Sequence, residues 1–165
     1  MIIGHGDIAS VLKEQDKYNL LFFAAGVSNS AEQRESEYKR ELLLLTSQPK
    51  DKRLVYFSSL CIFYKATRYA LHKREMEFII KRDFPYWTIV RLGNISWGVN
   101  PHTIINFLKN KLRDGQSISI EPVYRYVVDL NEFLHWIDLI PPWNCEMNIP
   151  GRMMRVSDIV GEFCL

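Results

Sequence analysis

An α/β layer fold with a mainly parallel sheet and helices on both faces is what this sequence predicts. Short apolar runs without polar alternation, as parallel strands covered on both faces require, take turns with segments of helical spacing. A Gly4-His5-Gly6 turn separates the first run from the first helix. Glycine, serine and asparagine collect at the carboxyl ends of the runs, where ligands of such sheets sit.

Met1-Ile2-Ile3 is the first strand, and Ile8, Ala9, Val11 and Leu12 keep a helical spacing to about Gln15. Leu20 to Ala25 is the second strand, stopped by Gly26, and a helix is expected from about Ser30 to Thr46, ended near Pro49. Arg53 to Phe57 forms a third strand with Ser58-Ser59 at its end, followed by a helix from about Thr67 to Arg82. Tyr86 to Arg91 is a strand closed by Gly93-Asn94, and Pro101 fits the first turn of a helix reaching Arg113. Ser117 to Ile120 and Tyr124 to Val128 read as short strands, and Asp129 as the cap of a helix carrying Leu130, Phe133, Leu134 and Ile137. Met147 to Ile149 is a last strand and Val156 to Phe163 a last helix.

The 165 residues suit a single domain spanning 1–165, with a hydrophobic content of 47% typical of globular proteins. A net charge of +2 without a basic block gives no footprint for nucleic acid, and no apolar run is long enough to span a bilayer. Cys61, Cys145 and Cys164 have neither metal-ligand nor pairing spacing. With no signal-peptide pattern before them, they are expected as reduced thiols in the cytoplasm. No metal site is expected.

Gly4-x-Gly6 between strand and helix suits a pyrophosphate, because missing side chains let backbone close on phosphate oxygens near a helix amino end. A tight turn with no ligand has the same pattern. Tyr69 and Lys73, four apart on one helical face, pair a phenol with an ammonium that favours its ionised form. Such a pair can move a proton on or off an alcohol, and Ser59 could hold the same oxygen. Chance supplies Tyr-x-x-x-Lys readily in a chain with eight tyrosines, so its weight comes from following Ser58-Ser59 by ten residues.

Gly4-His5-Gly6-Asp7-Ile8-Ala9, Phe23-Ala24-Ala25-Gly26, Val55-Tyr56-Phe57-Ser58-Ser59, Tyr69-Ala70-Leu71-His72-Lys73, Arg91-Leu92-Gly93-Asn94, Arg125-Tyr126-Val127-Val128-Asp129 and Asn148-Ile149-Pro150-Gly151 occur in this order. The series resembles the extended short-chain dehydrogenases/reductases, the NAD-dependent epimerase/dehydratase type, over nearly the whole chain. The resemblance implies a truncated Rossmann-like sheet with a small substrate-region elaboration at about residues 95–145. It implies Tyr69 as acid/base, Lys73 as the residue that lowers its pKa and holds the nicotinamide ribose, and Ser59 on the substrate oxygen. Gly4, Gly6, Asp7, Ile8, Ala25, Gly26 and Lys73 would bind NAD or NADP, and Asn94 and Arg125 a sugar diphosphate. Arg91 and Arg125 could equally be salt-bridging arginines, Ser58 reads as structural, and His5 and His72 as solvated or capping residues.

The sequence departs from that pattern where Ala9 and Leu20 stand only eleven positions apart, room for one short crossover helix. The family's second and third strands are therefore absent, and with the second goes the residue that holds the adenosine ribose. Two readings stay open. One is an NAD(P)-linked oxidoreductase, epimerase or dehydratase acting on a nucleotide- or lipid-linked sugar in surface-polysaccharide biosynthesis, a setting that Ala25-Gly26-Val27-Ser28-Asn29-Ser30 also resembles. The other is a non-catalytic descendant that keeps the crevice for binding or assembly. The sheet edge left bare is expected to be covered by a second copy, as a homodimer.

Overall fold

The computed structural model describes residues 1–15, 19–118, 120 and 122–165. Five strands form one parallel sheet: β1 (Ile2–Ile3), β2 (Leu20–Phe23), β3 (Arg53–Ser59), β4 (Trp87–Leu92) and β7 (Cys145–Ile149), in that spatial order. The expected order of the first four strands is thus observed. Residues 10–15 hold the end of helix α1 (Asp7–Val11) and a 3-10 turn at Lys13–Gln15; residues 16–18 lie outside the described set.

Helices cover both faces. On one, Leu12 after α1 and Phe133 and Ile137 of α5 (Leu130–Asp138) pack over Phe22, Val55, Phe57 and Val90. On the other, Leu45 of α2 (Glu35–Thr46) and Met76 and Ile80 of α3 (Arg68–Asp83) pack over Leu21, Phe23, Tyr56 and Ile89. Alternation of Phe22 and Phe23, and of Val55 and Tyr56, between the two clusters is the period-two geometry of a strand buried on both sides.

A second sheet was not anticipated. β5 (Asn94–Ile95) pairs parallel with β6 (Tyr124–Val128), which pairs antiparallel with β8 (Arg152–Arg155). Gly151, at φ +70°, turns the chain between β7 and β8. Helix α4 (Ile104–Arg113) and the closing helix α6 (Val156–Ile159), which continues as a wider π turn to Cys164, pack against this small sheet through Ile105, Leu108, Val127 and Ile159.

Three expectations need correction. Ser117, Ile118 and Ile120 form no strand, and Ser119 lies outside the described residues. Pro101 precedes its helix by a turn, because Thr103 is the residue whose hydroxyl accepts the Asn106 N–H and starts α4. His72 is neither solvated nor a cap; it is buried. Asp129 does cap α5, accepting the Glu132 N–H at 2.9 Å.

Candidate active site

The carboxyl ends of β1 to β4 open onto a crevice of about 1080 Å³, with residues of β5 and β6 on its far wall. Gly4, Gly6, Asp7, Ile8, Ala25, Gly26, Ser59, Tyr69, Lys73, Asn94 and Arg125 all line it. The residues singled out in the sequence are therefore neighbours in space, although their side chains are engaged in different ways.

Gly4 takes φ +117°, and a Cβ there would stand 2.5 Å from the Ala24 carbonyl oxygen, so this glycine serves the fit of β1 against β2. Gly6 is different: it precedes α1 with an ordinary negative φ and open space where a Cβ would be. Packing therefore does not demand a glycine there. The Asp7 carboxylate accepts N–H bonds from Val99 at 3.0 Å and Asn100 at 2.9 Å. The glycine turn is thereby fastened to the loop after β5. Ile8 is half-buried against the core, and the Ala25 carbonyl accepts a bond from Arg40 Nη1 at 3.1 Å.

Ser59 ends β3, and its Oγ accepts the Cys61 N–H at 3.3 Å. Thr67 caps α3, which brings Tyr69 and Lys73, one turn apart, to the crevice. Burial, reinforced by Cys61, Glu41 and Tyr38, pushes the Tyr69 phenol well above its ordinary value, and a hydrogen bond with Ser59 only partly offsets this. Lys73 Nζ stands 5.6 Å from the Tyr69 ring centre. It donates instead to Glu41 Oε1 and to the Tyr56 hydroxyl, both at 3.0 Å.

Glu41, from α2, is fully buried and collects four partners: Lys73, the Tyr56 hydroxyl at 2.6 Å, the Val27 N–H at 2.7 Å and His72 Nε2 at 3.1 Å. Burial alone would raise its carboxyl. The Lys73 charge and the bonds from His72, Tyr56 and Val27 outweigh that and hold it far below the usual carboxylate range. Burial and the Glu41 carboxylate together raise the Tyr56 phenol. Gly26 roofs this network: a Cβ there would fall 2.7 Å from Lys73 Nζ and 2.9 Å from Glu41 Oε1. The sequence reading missed Glu41, Tyr56 and His72. A signal existed, because Tyr38, Glu41 and Leu45 share one buried helical stripe and a carboxylate there needs a cation.

On the far wall, Asn94 Nδ2 donates to the Tyr126 carbonyl at 2.8 Å and Arg125 Nη1 to the Tyr124 carbonyl at 3.1 Å. Arg91 is structural: its buried guanidinium pairs with Glu77, at 2.7 to 3.3 Å, and with Glu146 at 2.7 Å. Ser58 is buried with no hydrogen-bond partner for its hydroxyl. Among the described residues, no cluster of His, Cys, Asp and Glu could hold a metal ion, and no helix is long and apolar enough to cross a membrane.

No family model matches the sequence, and no curated protein matches it. Solved structures do match in fold. The Bordetella bronchiseptica enzyme WbmG in complex with NAD and UDP aligns with a TM-score of 0.66 and 16% identity, over 94% of this chain and 60% of that one. A UDP-galactose 4-epimerase aligns at 0.65 with 17% identity, over 88% and 61%. The dTDP-glucose 4,6-dehydratase from Bacillus anthracis, in complex with NAD, aligns at 0.65 with 16% identity, over 93% and 59%. This chain spans about 60% of the length of these three. Its fold is that of the extended short-chain dehydrogenases/reductases in a shortened form.

Proposed function

We propose that this protein is an NAD(P)-linked oxidoreductase, epimerase or dehydratase that acts on a nucleotide- or lipid-linked sugar, in cytoplasmic synthesis of a surface polysaccharide. The observation that carries the reading is that Ser59, Tyr69 and Lys73 line one crevice, with Lys73 one helical turn beyond Tyr69 on α3. A phenol and a serine hydroxyl aimed at the same space can hold one substrate oxygen and pass it a proton. NAD bound to the WbmG and dTDP-glucose 4,6-dehydratase structures, and UDP bound to the former, support the same ligand classes here.

The residues fit one end of a dinucleotide. Gly6 leaves space for a pyrophosphate, and Ala25, Gly26 and the surface above Lys73 suit the ribose beside the reacting ring. When bound, the nicotinamide supplies hydride exchange with the substrate carbon. This chain's part is to orient both molecules: Asn94 and Arg125 toward a diphosphate, Ser59 and Tyr69 toward the reacting oxygen. Beyond β1, no further strand stands among the described residues to receive the adenosine half. The edge of β1 supports a homodimer, since an open parallel edge is a liability in a monomer.

Titration calorimetry with NAD, NADH, NADP and NADPH tests the reading. Weak binding with little preference between the 2′-hydroxyl and 2′-phosphate forms is expected, weakened further by Lys73→Met and little changed by Ser58→Ala. No binding to any of the four would sink it in favour of a second reading, a non-catalytic binding or assembly module. The Glu41 carboxylate paired with Lys73 is the observation that favours this second reading.

A further inference from the structure

We propose that Glu41 is a positioning residue that pins the Lys73 ammonium in a buried ion pair and cancels its charge, so that Tyr69 stays a phenol across the neutral range. The ionisation state is a property of the free protein; only its importance for chemistry rests on the reading of Ser59, Tyr69 and Lys73 given above.

A carboxylate at this place has no packing rationale. It sits on a stripe of α2 whose other buried members are Tyr38 and Leu45, and it is removed from water entirely. Burying such a charge is costly unless a counter-charge and hydrogen bonds surround it. Here the counter-charge is Lys73, which is itself buried. The carboxylate lies 3.0 Å from the ammonium, closer than the 5.6 Å between that ammonium and the Tyr69 ring centre. Seen from the phenol, the pair is a dipole and not a cation.

The groups that act most strongly on Tyr69 are acidic or neutral. Glu41 and Tyr38 face it from α2, Ser59 and Tyr56 from β3, Cys61 from the turn after β3, and Lys73 from its own helix. Lys73 is the one cation among these; Arg40, Lys65 and Arg125 also line the crevice, Arg40 held by Glu37 and the Ala25 carbonyl and Arg125 by the Tyr124 carbonyl. On α3 itself, Arg68 beside Tyr69 stacks on the Tyr38 ring at 4.1 Å and pairs with Glu35, and Arg74 donates to the Ile62 and Lys65 carbonyls. The lysine therefore binds without activating, and Tyr69 meets the crevice as a hydrogen-bond and proton donor.

The test follows the Tyr69 phenol by NMR of tyrosine labelled with 13C at the ring ζ carbon, its signal assigned with Tyr69→Phe. In the unaltered protein no ionisation is expected below pH 10; a midpoint under 9 would overturn the proposal. Glu41→Gln leaves the ammonium uncompensated and should lower the midpoint by a unit or more, whereas a folded variant with an unmoved midpoint overturns the proposal. Should that variant not fold, Glu41→Gln/Lys73→Met removes both charges together. Its midpoint should stay within about half a unit of the unaltered protein's, since a cancelled ammonium contributes nothing. A rise of a unit or more would show that Lys73 had been acting on the phenol. The titration needs neither ligand nor turnover, so failed dinucleotide binding and a failed titration point to different errors.

Discussion

Glu41 and Lys73, thirty-two positions apart in the chain, meet with 3.0 Å between Oε1 and Nζ, and neither side chain is more than 2% exposed. Breaking one half of a buried pair is far more costly than removing both. Glu41→Ala should therefore destabilise by about 3–5 kcal/mol, measured by urea unfolding, and Glu41→Leu/Lys73→Met by much less. Additive losses in the double variant would mean that the two groups are not coupled.

The same pair sets an acid limit. Because the folded state holds the Glu41 carboxyl below its unfolded value of 4.5, its contribution is complete above pH 4.5 and fades as pH falls from there toward the folded value. Over that window stability should drop by up to about 1.4 kcal/mol per pH unit for this one proton. Urea unfolding at a series of pH values should show the slope reduced in Glu41→Gln. An identical slope in both proteins would show that other carboxylates govern acid unfolding.

Three glycines at the crevice should respond differently to alanine. At Gly4 the added methyl meets the Ala24 backbone and φ is positive, so folding should suffer most. At Gly26 it meets Lys73 and Glu41, at a cost of about 1–3 kcal/mol. At Gly6 it meets nothing, and stability should stay within about 0.5 kcal/mol while dinucleotide affinity falls. Thermal melts with a parallel binding titration separate these outcomes; equal losses at all three would remove the distinction.

Two arginines near the crevice should divide likewise. Arg91→Ala strands Glu77 in the interior and should cost about 3 kcal/mol. Arg125→Ala should leave the unfolding midpoint unchanged and weaken binding of a nucleoside diphosphate sugar. Loss of stability at Arg125 instead would assign it to the fold.

Asp7→Asn keeps the shape of the turn but replaces the carboxylate that holds Val99 and Asn100. About 1.5 kcal/mol of loop anchoring should go with it. Amide exchange at those two residues should quicken while β3 and β4 stay protected. Unchanged exchange would show that the loop is held by other contacts.

The strand order was legible because Leu20 to Phe23 and Leu54 to Phe57 carry no polar alternation and the short gap after Ala9 admits one crossover only. The positions of Ser59, Tyr69 and Lys73 followed from strand-end and helix geometry. What escaped was the direction in which Lys73 points, because the group that claims it lies on α2, where local periodicity sees an ordinary acidic residue. β8 escaped for a similar reason: Arg152–Arg155 has a strand's extension but too few apolar residues to announce it, and its pairing with β6 is a long-range fact.

The spatial sequence β1-β2-β3-β4 is also the order of synthesis. Each of those pairings can close as soon as its second member leaves the ribosome, and only β7 comes after an excursion into the second sheet, through β5 and β6. Lys73 and Glu41 both precede β4, so the buried ion pair can form before the far wall of the crevice exists. The half of the crevice that holds Tyr69 and Lys73 is thus assembled first, and the half that carries Asn94 and Arg125 is fitted to it afterwards.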